Sequence, residues 1–455
     1  MIRQLILLIS LFVSGPILIN LFVLRDSYEF PTRLIKYLYS FVLSWVCLFV
    51  YLQILFQLKI PNLLIVYFSS LLILTLCISS VLLVQYFQRK SIFQIFSGKL
   101  APYKTGVSAT IFSFFLLILG FSLIVVTISI PYFENDSLEY LRGGIELLSA
   151  GNLSNYPFIN NSNSDLFLPS SHPPTFHLFL GLVNQLFGGI LLAKIITVMF
   201  FLAIIAPPLN LIANPYVYVL SFLSVPLLVF STFTYPMDVN RISVYWVAFS
   251  LLFIQQKSHE FNLIRSVFIL SVVSSTHSLG LLLQLIMILI LYWKHHFKLL
   301  SFALFFIFFS LVMSPQYLRN FFQTGNFISD NWTSSPSLAP MIMKDLSERR
   351  ELDGFPNILT NGLFSPVFHP RFFGFVFPIL LVQIIVFVFR NFQEKSLILT
   401  PNFLMVLMYF SIASSLTFLG DLNLVKNFRY PLTILPNIIF LIFTLDSRKR
   451  QYDTK

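Results

Sequence analysis

The sequence predicts an all-α polytopic membrane protein with about thirteen transmembrane helices. Three observations predict it. Hydrophobic residues fill 57% of 455 positions and charged residues only 10%, against about 25% charged in soluble domains. The mean hydropathy is +0.83. Apolar runs of roughly the 20 residues needed to cross a bilayer recur along the whole chain. The net charge of +11 belongs, in such a chain, to the Lys and Arg that hold cytoplasmic loops inside, so nucleic acid is not an expected partner. Cys47 and Cys77 lie in apolar runs and form neither a metal-ligand pattern nor a disulfide framework.

Taken in order, the runs fall near 3–24, 37–58, 62–87, 107–131, 190–212, 215–234, 242–256, 263–276, 278–293, 297–317, 372–390, 397–416 and 431–445. The first resembles a signal peptide but lacks a small-residue cleavage site and is followed at once by further apolar runs, so it reads as a retained span. A shorter apolar piece at 174–188 follows His172-Pro173-Pro174. It is marginal as a span and reads as a re-entrant or interfacial helix, which is tolerated where it lines a protein cavity. Loop cations support that reading. With 132–172 outside, the inside loops hold Arg25, Arg33, Lys36, Arg89, Lys90, Lys99, Lys104, Lys257, Arg265, Lys294, Lys298, Arg390, Lys395 and the tail's Arg448, Lys449, Arg450 and Lys455. The alternation fails if 174–188 crosses.

The same bookkeeping gathers four polar segments on the outer face: 132–172, 235–241, the long loop 318–370 and 420–431. The first is an acidic, Asn-rich island that begins at the end of an apolar run. Glu134 and Asp136 follow that run immediately. A partly desolvated carboxylate there has a raised pKa and can act as a general base. The competing role is capping, since Asp136-Ser-Leu-Glu139 is an N-cap with an acid three residues on. His172-Pro-Pro is either the Pro-rich start of a helix or a phosphate- or hydroxyl-binding imidazole. Asp238 and Arg241 are a local i,i+3 pair, or Asp238 binds a metal or a sugar hydroxyl. Arg319 and Arg429 either snorkel to the interface or hold an anionic head group. Lys194 lies within an apolar run, where an ionisable residue is a functional candidate. His277, between two runs, and His295-His296 read as loop residues. No HExxH, CxxC, G-x-x-x-x-G-K-[ST] or G-x-G-x-x-G occurs, so cytosolic nucleotide chemistry is not expected.

The order of these segments carries more than any one of them. Asn135-Asp-Ser-x-x-Tyr140 closes a span. His172-Pro-Pro and a short helix follow, then a cation (Lys194) in the next span and an outer acid (Asp238). Ser314-Pro-x-Tyr-Leu-Arg319-Asn320 with Gly325-Asn326 comes next, and finally Arg429-Tyr-Pro. This order resembles the GT-C superfamily of polytopic glycosyltransferases, which includes protein O-mannosyltransferases and the aminoarabinose transferases of lipid A. The resemblance covers about residues 107–445. It leaves 1–106 as an extra three-span module and 446–455 as a basic cytoplasmic tail.

What the resemblance implies is a sugar donor on a polyprenyl phosphate, a hydroxyl acceptor on a lipid, glycan or protein, and chemistry on the non-cytoplasmic face of an inner (plasma) membrane. It implies Asp136 or Glu134 as the base; Lys194, Arg319 and Arg429 on the donor phosphate; His172, Tyr140 and Asp238 on the substrate; and, as in some members, a divalent metal ion at Asp238. Two other classes stay open: a transporter or flippase of lipid-linked or anionic solutes, and a surface-polysaccharide polymerase or ligase. The last class generally relies on outer Arg and His.

Overall fold

The computed structural model describes residues 1–24, 28–87, 108–131, 135–151, 172–208, 212, 214–255, 262–324, 373–375, 378–379, 382–383, 386, 400–418 and 429–452. The described residues are 86% helical and contain no β-strand.

The helices are α1 (Ile2–Leu24), α2 (Arg33–Gln57), α3 (Leu63–Phe87), α4 (Ala109–Ser129), α5 (Asn135–Ala150), α6 (Thr175–Phe187) and α7 (Leu191–Ile205). They continue with α8 (Pro215–Leu223), α9 (Pro226–Thr234), α10 (Pro236–Gln255), α11 (Leu263–Ser275), α12 (Leu279–His295), α13 (Leu299–Met313), α14 (Pro315–Thr324), α15 (Pro401–Phe418) and α16 (Leu435–Tyr452). Local chemistry sets their ends. The side chains of Thr32, Asn214 and Asn262 accept from backbone N–H groups at the starts of α2, α8 and α11, as N-caps do. Gly188 closes α6 at φ +68°, a left-handed turn that suits glycine.

Five described helices are long and apolar enough to cross a membrane, or up to seven if each of two bent pairs is one span. They are compatible with a bilayer environment. The others among the thirteen expected runs appear as shorter apolar helices, and the run at 372–390 lies largely outside the described residues. The runs 215–234 and 297–317, read from sequence as single spans, are each broken: α8 and α9 meet at 70°, α13 and α14 at 83°. Pro226 and Pro315 open the second member of each pair. A proline can start a helix but removes a backbone donor from the interior of one. α6 has 13 residues, a rise of about 20 Å, against a hydrocarbon core of about 30 Å.

α2 and α10 form the centre. Of their most apolar stretches 83% and 94% is buried, against 22% and 28% for α3 and α4. Trp45 on α2 is fully buried and meets the rings of Phe49, Phe176, Phe179 and Phe200 at centroid distances of 5.2, 6.1, 5.3 and 5.2 Å. The N-terminal helices thus share one core with α6 and α7. Polar contacts reinforce this. Gln53 of α2 donates to Gln316 Oε1 of α14 at 2.7 Å, and its own Oε1 lies 2.8 Å from the Thr175 hydroxyl of α6.

α5 lies across α6 at backbone contact. A Cβ on Gly144 would stand 1.9 Å from the His177 carbonyl oxygen, and one on Gly181 would stand 2.4 Å from the Gly144 carbonyl. Only glycines permit that approach.

Candidate functional site

The starts of α6, α10 and α12, and the turn before α16, converge on one buried polar cluster. Its centre is Asp238, in the first turn of α10, where a negative charge complements the helix dipole. Asp238 Oδ1 is 3.0 Å from Arg241 Nη2, and Oδ2 is 3.2 Å from Arg429 Nη1. Arg241 is 1% exposed and Asp238 5%. A buried charge is tolerated only when paired, and here one carboxylate serves two guanidinium groups. Aromatic faces support both cations. Arg429 lies 4.2 Å from the Tyr235 ring centroid and Arg241 lies 5.1 Å from that of Tyr430, within cation–π range.

Two histidines complete the cluster. His172, just before α6, and His277, just before α12, lie with ring centroids 4.0 Å apart. His277 Nε2 is 3.3 Å from Arg241 Nη1, and the Leu279 backbone N–H donates to His277 Nδ1 at 3.0 Å. The Ser278 hydroxyl is 3.3 Å from His172 Nδ1. Desolvation, then His177, Arg241 and Arg429, push the His172 imidazole down to about 3. Desolvation, His172 and the same two arginines hold His277 well below its ordinary value. Both rings are therefore neutral at physiological pH. With neutral imidazoles, the charged groups of the cluster among the described residues are Arg241, Arg429 and Asp238.

Tyr140 of α5 packs edge-on against His172 at 6.1 Å and His177 at 5.0 Å. Of the residues singled out from sequence, His172, Asp238, Arg429 and Tyr140 thus come together. Asp136 lies one helical turn before Tyr140 in α5, but its side chain, like all of Glu134, is outside the described residues. Lys194 is placed elsewhere: its Nζ donates to the carbonyls of Thr127, at 3.0 Å, and Ile130 at the end of α4. Arg319 sits partly buried on α14. Asp238 takes its ion pairs from Arg241 and Arg429.

The arrangement does not fit a divalent cation at Asp238. Both carboxylate oxygens face guanidinium groups that would repel it, and no group of three or more His, Cys, Asp or Glu able to hold a metal occurs among the described residues.

Sequence reading missed His277, taken as a loop residue, and gave Arg241 only the role of a local partner. A signal was present. Residues 274–278 read Ser-Ser-Thr-His-Ser, a polar run without charge between two apolar runs. A solvated loop at a membrane surface more often carries charges.

No family model, curated protein or solved structure gives a match to this chain.

Proposed function

We propose that the chain is a polytopic membrane glycosyltransferase of the GT-C kind. In this reading it moves a sugar from a polyprenyl-phosphate donor to a hydroxyl acceptor on the non-cytoplasmic face of the inner membrane, with its basic C-terminal tail in the cytoplasm. The observation that carries the reading is the convergence of Arg241 and Arg429 on Asp238, beside His172 and Tyr140. A lipid phosphate is a good leaving group once its charge is balanced, and guanidinium groups do this well. The acceptor oxygen attacks the anomeric carbon, and the carbon–oxygen bond to phosphate breaks. The phosphate leaves with the bonding electrons, and a carboxylate takes the acceptor's proton. Asp136 and Glu134 are the candidates for that carboxylate, because Asp136 lies in the first turn of the helix on which Tyr140 stands and Glu134 precedes that helix by one residue in the sequence.

The test is donor consumption by the purified full-length protein, supplied with a polyprenyl-phosphate sugar and a hydroxyl acceptor. Wild type is expected to release polyprenyl phosphate. Asp136→Asn or Glu134→Gln is expected to slow release about 100-fold or more. If wild type consumes no donor, or both variants match it, the reading fails.

The Arg–His make-up of the cluster favours a second reading, a surface-polysaccharide polymerase or ligase. That reading expects transfer of a whole glycan chain, undiminished in both acid variants.

A further inference from the structure

His277 is caught between two donors. The backbone N–H of Leu279 points at Nδ1 from 3.0 Å, and Arg241 Nη1 stands 3.3 Å from Nε2. A guanidinium donates only, and a neutral imidazole offers one acceptor nitrogen and one N–H. If Nδ1 accepts from Leu279, the ring proton is on Nε2 and faces Arg241, donor against donor. The other tautomer moves the same conflict to Leu279. The imidazolium makes both nitrogens donors and adds a third positive charge beside Arg241 and Arg429. Neither neutral tautomer nor the imidazolium satisfies both neighbours.

Nearby buried groups are unmet as well. Among the described residues, Arg241 Nε, both side-chain amide atoms of Asn240 and the Thr276 hydroxyl find no hydrogen-bond partner. Asn240 and Thr276 are fully buried and Arg241 nearly so. Buried polar groups in folded proteins are ordinarily paired. An acceptor oxygen placed beside Arg241 and His277 resolves the conflict. Two nitrogens 3.3 Å apart can both donate to one oxygen at about 2.9 Å, an ordinary hydrogen-bond length. An anionic oxygen suits this seat, because one of its two donors, Arg241, is a cation.

We infer that Arg241 and His277 form the seat of one anionic phosphate oxygen, Arg241 donating from Nη1 and neutral His277 donating from Nε2. His277 binds as a hydrogen-bond donor and does not act as a base. The inference rests on the proposed function for the identity of the phosphate as the donor's. The chemistry of the seat is common to a lipid-linked phosphate and to free inorganic phosphate.

The experiment uses the full-length protein in detergent. Thermal melting and calorimetric titration are run with dodecyl phosphate, with inorganic phosphate, and with a dodecyl glycoside as the neutral control. Dodecyl phosphate is expected to bind and to raise the melting temperature above the glycoside control. If inorganic phosphate does so as well, the seat takes the phosphate group alone; if only dodecyl phosphate does, the alkyl chain is part of recognition. His277→Gln, whose amide keeps an N–H, is expected to retain binding, whereas His277→Leu weakens it about tenfold or more. Binding of neither phosphate by wild type overturns the inference. So does phosphate binding that is equal in wild type and a folded His277→Leu. Binding without sugar transfer overturns the proposed function and leaves the seat. Sugar transfer that is undiminished in His277→Leu overturns the seat and leaves the function.

Discussion

Lys194 reaches from α7 to the last turn of α4 and donates to the carbonyl of Thr127 at 3.0 Å. The carbonyls of a helix's last turn are only partly satisfied within it, that of Thr127 accepting also from the Ile130 N–H, and a cation suits that end of the dipole. The residue therefore fixes the point at which the chain leaves α4 for Glu134 and Asp136. Lys194→Met is expected to cost about 1–3 kcal/mol through loss of its charge-assisted hydrogen bonds to the carbonyls of Thr127 and Ile130. Lys194→Arg is expected to retain most of the stability. Melting of the two variants in the same detergent checks this. Equal loss in both would show that shape, not donation, matters.

Asp238→Asn leaves two guanidinium groups facing each other in a buried site. Removing one partner of a buried ion pair costs about 3–5 kcal/mol. The double variant Asp238→Asn with Arg429→Met removes the repulsion as well and is expected to be more stable than Asp238→Asn alone. A double-mutant cycle measured by denaturation gives the coupling. A double variant that is merely the sum of the singles would contradict the shared carboxylate.

Gly144→Ala places a methyl group against the His177 carbonyl, and the backbone of α5 or α6 must move. Overpacking of this kind costs about 1–3 kcal/mol. Gly189→Ala, where a Cβ meets nothing within 4 Å, is the control and is expected to be near neutral. Comparing the two melts checks the close approach of the helices.

The histidine pair sets a pH dependence with a definite sign. His172 has its folded-state value lowered from 6.5 to about 3, and His277 is lowered as well. The groups facing the pair are His177, Arg241, Arg429, Tyr140 and Tyr430. As pH falls from 6.5 toward 3, the unfolded chain takes up protons that the folded cluster excludes. Stability therefore falls with pH in that window and is recovered on raising it. His172→Gln is expected to flatten the slope between pH 6.5 and 4, measured by thermal melts across a buffer series. An unchanged slope would show that His172 does not contribute.

Trp45→Ala opens a void among four phenylalanine rings, at a cost of about 3–5 kcal/mol. For the same reason a chain lacking residues 1–106 is expected not to fold, since α2 supplies the centre of the core. Expression of the truncated chain and gel filtration in detergent check this.

Much of the helical layout was legible because apolar runs and their caps are local signals. Pro226 and Pro315 were visible too, and their position inside runs marks where the helices break. Asp238 and Arg241 sit three residues apart, so their pairing could be read from spacing. The meeting of Arg429 with Asp238, and of His172 with His277, could not. Each joins residues more than a hundred positions apart, and nothing in local pattern encodes such a contact. Lys194, whose place in the order of motifs suggests a phosphate ligand, donates to the backbone carbonyls of Thr127 and Ile130, contacts that residue order does not encode.

The Gln53 side chain has a consequence for assembly. It is fully buried, and its partners are Thr175 and Gln316. Chains are made from the N-terminus, so α2 is synthesised long before either partner exists. Until then its amide sits in a helix destined for an apolar interior, where an unmet polar group is costly. The hydrogen bonds of Gln53 are therefore complete only once α14 has been made, so the second helix of the chain depends on the fourteenth for its full set of partners.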